Sequence, residues 1–135
     1  MKSEDCGSLN MKQYLSQGHV QQDMSAAKKA LLRQRCSDAG LISLAVTAYT
    51  SFVSNSAEER QANVDELRRY SDLAAELGAS YVRAFLGELP PGTIPDSKMY
   101  QRMSECLYSA SEYGSTIGVN IAVEPHDDFA RSPIV

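Results

Sequence analysis

Three glycines at nearly equal intervals constrain the fold of this chain more than any other feature. Gly40, Gly78 and Gly118 lie 38 and then 40 residues apart, and each one follows a helix-like segment and precedes a short apolar run. A glycine can adopt the left-handed conformation that ends a helix, and a short apolar run after it is typical of a parallel strand. The repeat therefore predicts a chain in which helices alternate with parallel strands.

The segments before these glycines have the patterns of helices. Three helices are predicted, at about residues 25–39, 57–77 and 97–117. Ser56 and Glu59 have the spacing of a capping box at the start of the second helix. Asp96 or Ser97 is the expected cap of the third helix. The connection between residues 87 and 95 contains three prolines and two glycines, so it is predicted to be a rigid loop.

Alternate residues of the predicted strands form two different faces, because side chains of a strand alternate with a period of two. An entirely apolar set is expected to be covered by helices: Ile42, Leu44, Val46, Val82, Ala84, Leu86, Val119, Ile121 and Val123. The opposite set is mixed: Ser43, Ala45, Thr47, Tyr81, Arg83, Phe85, Asn120, Ala122 and Glu124. Helices would bury both faces of an open doubly wound sheet, where a charge pair is costly. The mixed face therefore favours the interior of a (β/α) barrel.

Composition limits the classes of protein and partner. With 135 residues, 43% of them apolar and 22% charged, the chain is expected to be one globular domain. We interpret residues 1–24 as a poorly structured lead-in and residues 25–135 as the domain. The net charge of −4 argues against nucleic acid as a partner. Three separated cysteines indicate a reduced, cytoplasmic setting, and no apolar stretch approaches the roughly 20 residues of a membrane helix.

Charged residues near the end of the third strand are the candidates for chemistry. Glu124 has the position of a metal ligand or general base, with an ion pair to Arg83 as an equally open alternative. Arg83 could bind a phosphate or carboxylate of a substrate, or simply neutralise Glu124. His126 could reach the same place from the loop, or remain in solvent. Asp127 and Asp128 suggest a solvated loop or a helix cap.

Two segments carry a resemblance to a known family. Glu58–Arg83 and Val119–Phe129 resemble the xylose isomerase-like TIM-barrel family of sugar phosphate isomerases and epimerases, over about residues 25–135. In that family the fourth strand ends in a Glu that binds a divalent metal, a position that Glu124 matches. The other ligands, an Asp, a His and a second Glu, come from later strands and have no counterpart in this sequence.

The resemblance implies an α/β fold that is a partial (β/α)8 TIM barrel with about three parallel strands, since a full barrel needs about 250 residues. The chain is thus expected to be a fragment. It implies part of a divalent-metal-dependent isomerase or epimerase that acts on a sugar or sugar phosphate by proton transfer through an enediol-like intermediate. Glu124 would be its catalytic and metal-binding residue, and Arg83 and His126 would bind substrate.

Two other hypotheses stay open. The chain could be a catalytically inert half-barrel that acts only through association, as a homo-oligomer formed by exposed sheet edges. A metal-dependent endonuclease on the same barrel is a third possibility, which the acidic balance disfavours. Because most of the expected ligands are missing, Mn²⁺, Mg²⁺ or Zn²⁺ is not expected to bind tightly to this chain alone.

Overall fold

Three helices alternate with three strands in the residues that the computed structural model describes, which are Val20, 22–126 and Phe129. The elements are α1 (Ala26–Asp38), β1 (Ala45–Ala48), α2 (Ala57–Leu77), β2 (Tyr81–Phe85), α3 (Ser97–Thr116) and β3 (Asn120–Glu124). Most of the predicted lead-in lies outside the described residues. No helix within them combines the length and the apolar character needed to cross a membrane.

The strands form one parallel sheet in the order β1-β2-β3. Val46 pairs with Val82, and Val82 pairs in turn with Ile121, so these three side chains lie on one face of the sheet. Because all three strands run the same way, their carboxyl ends meet at one edge. The predicted alternation of helices and parallel strands is confirmed, and the sheet over the described residues is not closed.

The helix ends follow the capping residues that the sequence contains. Ser56 Oγ accepts a hydrogen bond from the Glu59 backbone N–H at 3.3 Å, and Gly78 ends α2 with φ of 75°. The predicted bounds of α2 are therefore confirmed. The second half of the capping box is replaced by another bond, because the Ser56 N–H donates to Ser54 Oγ at 3.1 Å. Asp96 caps α3 by accepting from the Met99 N–H at 2.7 Å.

The core lies between the apolar face of the sheet and the helices α2 and α3. Its fully buried members come from all of these elements and include Val64, Leu67, Leu73, Val82, Ala84, Ala110 and Val119. Burying one Val or Leu side chain stabilises a fold by about 1.5–3 kcal/mol. Met99 and Met103 are also buried, as the helical spacing of α3 predicts. This two-layer core fixes the strands whose other face carries the polar residues.

The start of the first predicted strand differs from expectation. Ile42 and Leu44 were expected under helices, but they are 88% and 67% exposed. The strand begins only at Ala45, and α1 packs against α2, where Lys29 pairs with Glu76 at 2.5 Å. Residues 41–44 are therefore left uncovered, and the prediction was wrong for this segment. Val123, at the other end of the apolar face, is also 43% exposed.

The outer edge of β1 is unusually apolar. Residues 39–57 contain no charged side chain. Within the described part of the chain, β1 pairs with β2 alone. A groove of about 440 Å³ borders this strand and is lined by residues that include Leu32, Cys36, Val46 and Tyr70. Edge strands of soluble proteins are normally protected by charges or prolines, so this edge favours pairing with another chain.

We therefore expect the isolated 135-residue chain to self-associate through the β1 edge. Ile42→Lys places a charge beside this edge and should shift the population toward monomer in sedimentation velocity. Leu31→Lys, on the exposed side of α1, is the matched control and should leave the distribution unchanged. A wild-type chain that sediments as a monodisperse monomer and melts in one sharp transition would contradict this expectation.

Candidate functional site

Arg83 and Glu124 leave the sheet on the same face from neighbouring strands. The register pairs Arg83 with Ala122 and Phe85 with Glu124, so the two charged residues are diagonal neighbours. Diagonal neighbours on one face of a sheet are within reach of each other when at least one side chain is long. The two-residue period of the sequence predicts this placement, and the register agrees with it. The site lies at the carboxyl end of β3.

An ion pair joins these two residues. Arg83 Nε donates a hydrogen bond to Glu124 Oε2, and the two side chains are 25% and 44% exposed. This bond lowers the pKa of Glu124 from 4.5 to about 2, against an opposing effect of burial and with a smaller lowering from the hydrogen bond to His126. The same bond raises the pKa of Arg83. At neutral pH the site therefore holds a carboxylate that is firmly ionised.

His126 completes a three-residue cluster. Its Nε2 lies 2.7 Å from Glu124 Oε1 and 3.1 Å from Arg83 Nη2. An arginine nitrogen only donates and an ionised carboxylate only accepts, so Nε2 can make a hydrogen bond with one of them at a time. Donation from Nε2 to Oε1 satisfies the charged acceptor. This tautomer leaves Nδ1 as the acceptor of the neutral ring.

Two contacts hold His126 in place. The Phe85 ring meets the imidazole edge-on, with 5.1 Å between ring centroids and 73° between ring planes. The His126 carbonyl accepts a hydrogen bond from the Phe129 N–H at 3.1 Å. Phe129 is buried and packs against Tyr100 of α3. The imidazole is thus positioned by one residue of β2 and by the backbone hydrogen bond to Phe129, which is buried in the core.

Hydrogen bonds join the loop after β1 to the end of β2 beside the cluster of Arg83, Glu124 and His126. Thr50 is buried and donates to the Phe85 carbonyl at 2.7 Å, and the Phe52 N–H donates to the Leu86 carbonyl at 2.9 Å. Gly87 has φ of 106°, and a Cβ at this position would overlap the Ser51 hydroxyl. Sequence reasoning missed these contacts. Gly87, directly after an apolar strand, was the signal that a backbone approaches closely there.

A family model described as xylose isomerase-like TIM barrel matches residues 12–134. The chain belongs to this family. Its three parallel strands are therefore part of a TIM barrel, which confirms the predicted fold class. No curated protein sequence matches the chain.

Several solved structures share this fold. A D-psicose 3-epimerase crystallised with D-fructose aligns with a TM-score of 0.66 at 21% identity and covers 82% of this chain. An L-ribulose 3-epimerase aligns with a TM-score of 0.66 at 21% identity and covers 83% of this chain. A xylose isomerase-like TIM barrel protein from Mycobacterium smegmatis in complex with magnesium aligns with a TM-score of 0.54 at 20% identity and covers 79% of this chain. The chain spans 41%, 38% and 39% of the lengths of these three structures.

The donor set of the site is smaller than a metal centre requires. Within the described residues, no group of three or more His, Cys, Asp or Glu side chains could hold a metal ion. Asp127 and Asp128 lie outside the described residues. Among the described residues, Glu124 and His126 are the ligand-type side chains at this edge, and both oxygens of the Glu124 carboxylate already accept hydrogen bonds. A catalytic zinc site uses three protein ligands, so these residues do not fit a complete divalent centre.

The ion pair gives the site a defined response to pH. Because the folded pKa of Glu124, about 2, lies below the ordinary value of 4.5, ionisation of this carboxyl stabilises the folded chain above about pH 4.5. That contribution should decrease as the pH falls from 4.5 toward 2. Carbon-13 NMR of the Glu124 carboxyl should find a midpoint near 2 in the wild-type chain.

The cause of the low midpoint can be tested separately. Arg83→Met removes the guanidinium and should raise the midpoint toward 4.5. Arg35→Met makes the same substitution on α1 and should leave the midpoint where it is. A wild-type midpoint near 4.5 would show that the ion pair does not form in solution.

Proposed function

We propose that this chain carries the Glu124-bearing part of a divalent-metal-dependent sugar or sugar phosphate isomerase or epimerase. One observation carries the proposal: Glu124 stands at the carboxyl end of β3 on the open face of the sheet, in contact with Arg83 and His126. TIM-barrel enzymes hold their active sites at this end of the strands. Membership of the xylose isomerase-like family supports the reaction class.

The proposed reaction moves a proton through an enediol-like intermediate at carbons next to the sugar carbonyl. Glu124 is the proposed base, which takes the proton from carbon and returns it. A carboxylate with a pKa of about 2 is a weak base, so Glu124 becomes effective only when its bond to Arg83 is loosened. The site as described is therefore a resting arrangement.

Arg83 and His126 are the proposed contacts to the substrate. The Arg83 guanidinium has five N–H donors, of which the one on Nε is used toward Glu124. Its remaining donors suit the oxygens of a sugar hydroxyl or phosphate. His126 Nδ1 can accept from a hydroxyl in the tautomer that donates to Glu124. A sugar or sugar phosphate is accordingly the proposed small-molecule partner.

The described residues supply only part of the ligand set that a divalent metal would need. A divalent ion in such an enzyme polarises the substrate carbonyl. Glu124 and His126 could contribute two ligands, and further ligands would come from outside the described residues. This chain spans 41% and 38% of the two epimerase structures that share this fold, so the activity of a whole enzyme is a proposal.

A second candidate function is association without catalysis. The observation that favours it is the uncharged β1 edge, with Leu41, Ile42 and Leu44 exposed beside it. In this case the chain would act as an inert partial barrel that pairs with another copy. A cytoplasmic location and the absence of nucleic acid among the partners remain predictions from composition.

A titration followed by NMR distinguishes the two candidates. With Mg²⁺ present, D-fructose 6-phosphate should shift the signals of Arg83, Glu124 and His126, with a dissociation constant on the order of millimolar, equivalent to about 4 kcal/mol of binding. Glu124→Gln should weaken the Mg²⁺-dependent shifts about tenfold or more. Glu88→Gln, an exposed position in the loop after β2, is the matched control and should have no effect.

The same samples kept in D₂O report the proposed chemistry. Hydrogen at the carbon next to the carbonyl should exchange faster with the wild-type chain than with Glu124→Gln, because that carboxylate is the proposed base. Sugar-independent shifts confined to residues 41–49, which grow with protein concentration, would instead support association. Exchange that is unchanged by Glu124→Gln would contradict the proposed role of this residue.

A further inference from the structure

Tyr49 is a half-exposed aromatic residue immediately after β1. Its neighbours Ala48 and Thr50 are buried, whereas Tyr49 is 49% exposed. Successive side chains of an extended strand point to opposite faces, so Tyr49 lies on the open face of the sheet together with Thr47. Thr47 pairs with Arg83 in the register. Tyr49 is therefore on the face that carries the polar cluster, two residues nearer the carboxyl edge.

Tyr49 also lies in a row with Glu124. The buried Thr50 hydroxyl donates to the Phe85 carbonyl at 2.7 Å, which keeps the chain after β1 alongside β2. The register of β1 with β2, continued by one residue, places Tyr49 beside Phe85. Phe85 pairs on its other side with Glu124. The open face thus presents Tyr49, Phe85 and Glu124 side by side across three strands.

Hydrogen bonds fix the backbone on both sides of Tyr49. Before it, Ala48 pairs with Ala84 of β2. After it, the Ser51 N–H donates to Asn63 Oδ1 of α2 at 2.9 Å. An exposed tyrosine ring on a fixed backbone has little conformational freedom to lose when a ligand binds, which favours a role in binding.

We propose that Tyr49 is a substrate-binding residue of this site, and that it contacts the end of the sugar farthest from the carbons at Glu124. The inference rests on the proposed function, because it takes Glu124 as the base that acts on the sugar. It deepens that function by adding the end of β1 to the site, and by favouring a sugar chain long enough to cross β2.

The spacing and chemistry of the row suit such a substrate. Adjacent strands lie about 4.8 Å apart, so the backbones at Tyr49 and Glu124 are about 10 Å apart. The two side chains shorten this gap, and a pentose or hexose chain is long enough to bridge what remains. The Phe85 ring between them offers an apolar surface to the C–H groups of the sugar. The Tyr49 hydroxyl both donates and accepts, which suits a sugar hydroxyl or a phosphate oxygen.

The Tyr49 phenol is also close enough to Arg83 to act on its charge. The pKa of Arg83 is raised mainly by the hydrogen bond to Glu124, and Tyr49 adds a smaller increase. Tyr49 lines the groove of about 440 Å³ beside β1 as well, so there is open space next to its ring. A ligand that reaches Tyr49 can therefore remain in contact with the polar cluster.

The titration with D-fructose 6-phosphate tests the inference when it is repeated in the Ile42→Lys background, in which association along β1 should not cover Tyr49. Tyr49→Phe keeps the ring and removes the hydroxyl, so the affinity for the sugar phosphate should fall about three- to tenfold, as for the loss of one hydrogen bond. Tyr108→Phe makes the same change at an exposed tyrosine of α3 and should bind like the parent chain.

Nuclear Overhauser effects in the parent chain locate the sugar without any variant at Tyr49. The Tyr49 ring should show effects to hydrogens on carbons 5 and 6, the end farthest from the carbonyl. Shifts at Arg83 and Glu124, without an Overhauser effect at Tyr49, would overturn the inference and leave the proposed function standing, whatever the affinity of Tyr49→Phe. An unchanged affinity of Tyr49→Phe would likewise overturn it. A sugar phosphate that shifts neither Glu124 nor Tyr49 would contradict both.

Discussion

The parallel pairing of β2 with β3 is the constraint on which the site depends. The pairing sets Arg83 diagonally beside Glu124 and places Phe85 opposite Glu124. It is stabilised where β3 begins, because the Asn120 N–H donates to the Ser80 carbonyl at 2.9 Å. Gly114 of α3 lies so close to Val119, the residue before β3, that a Cβ there would overlap the Val119 carbonyl. Helix packing and strand register therefore act together to bring the charges into contact.

The open sheet has different consequences at the carboxyl end of β3 and along the outer edge of β1. At the carboxyl end of β3, an exposed face allows Arg83, Glu124 and His126 to meet while remaining accessible to small molecules. Along β1, the lack of charge over residues 39–57 leaves an edge that favours other chains. A partial barrel thus combines an accessible polar cluster with an unprotected edge, and these two features underlie the two candidate functions.

Much of the fold was predictable because local signals agreed with one another. Ser56 and Gly78 defined α2, and the two-residue period placed Arg83 with Glu124. The exposure of Ile42 was not predictable, since it depends on α1 packing against α2 rather than over residues 41–44. The position of the His126 ring could not be predicted from the sequence either, because the contact with Phe85 and the backbone hydrogen bond from Phe129 determine it. Periodicity specifies faces within an element, and packing between elements decides the rest.

The most direct test of this account is a double-variant cycle on the Arg83–Glu124 pair, measured as denaturation midpoints at neutral pH in the Ile42→Lys background. If the two side chains interact as described, Arg83→Met and Glu124→Gln should each lower the midpoint. The midpoint of the double variant should then fall by less than the sum of the two single decreases, because the interaction can be removed only once. Strictly additive losses would show that the two residues do not interact in solution and would contradict the arrangement on which the proposed site rests.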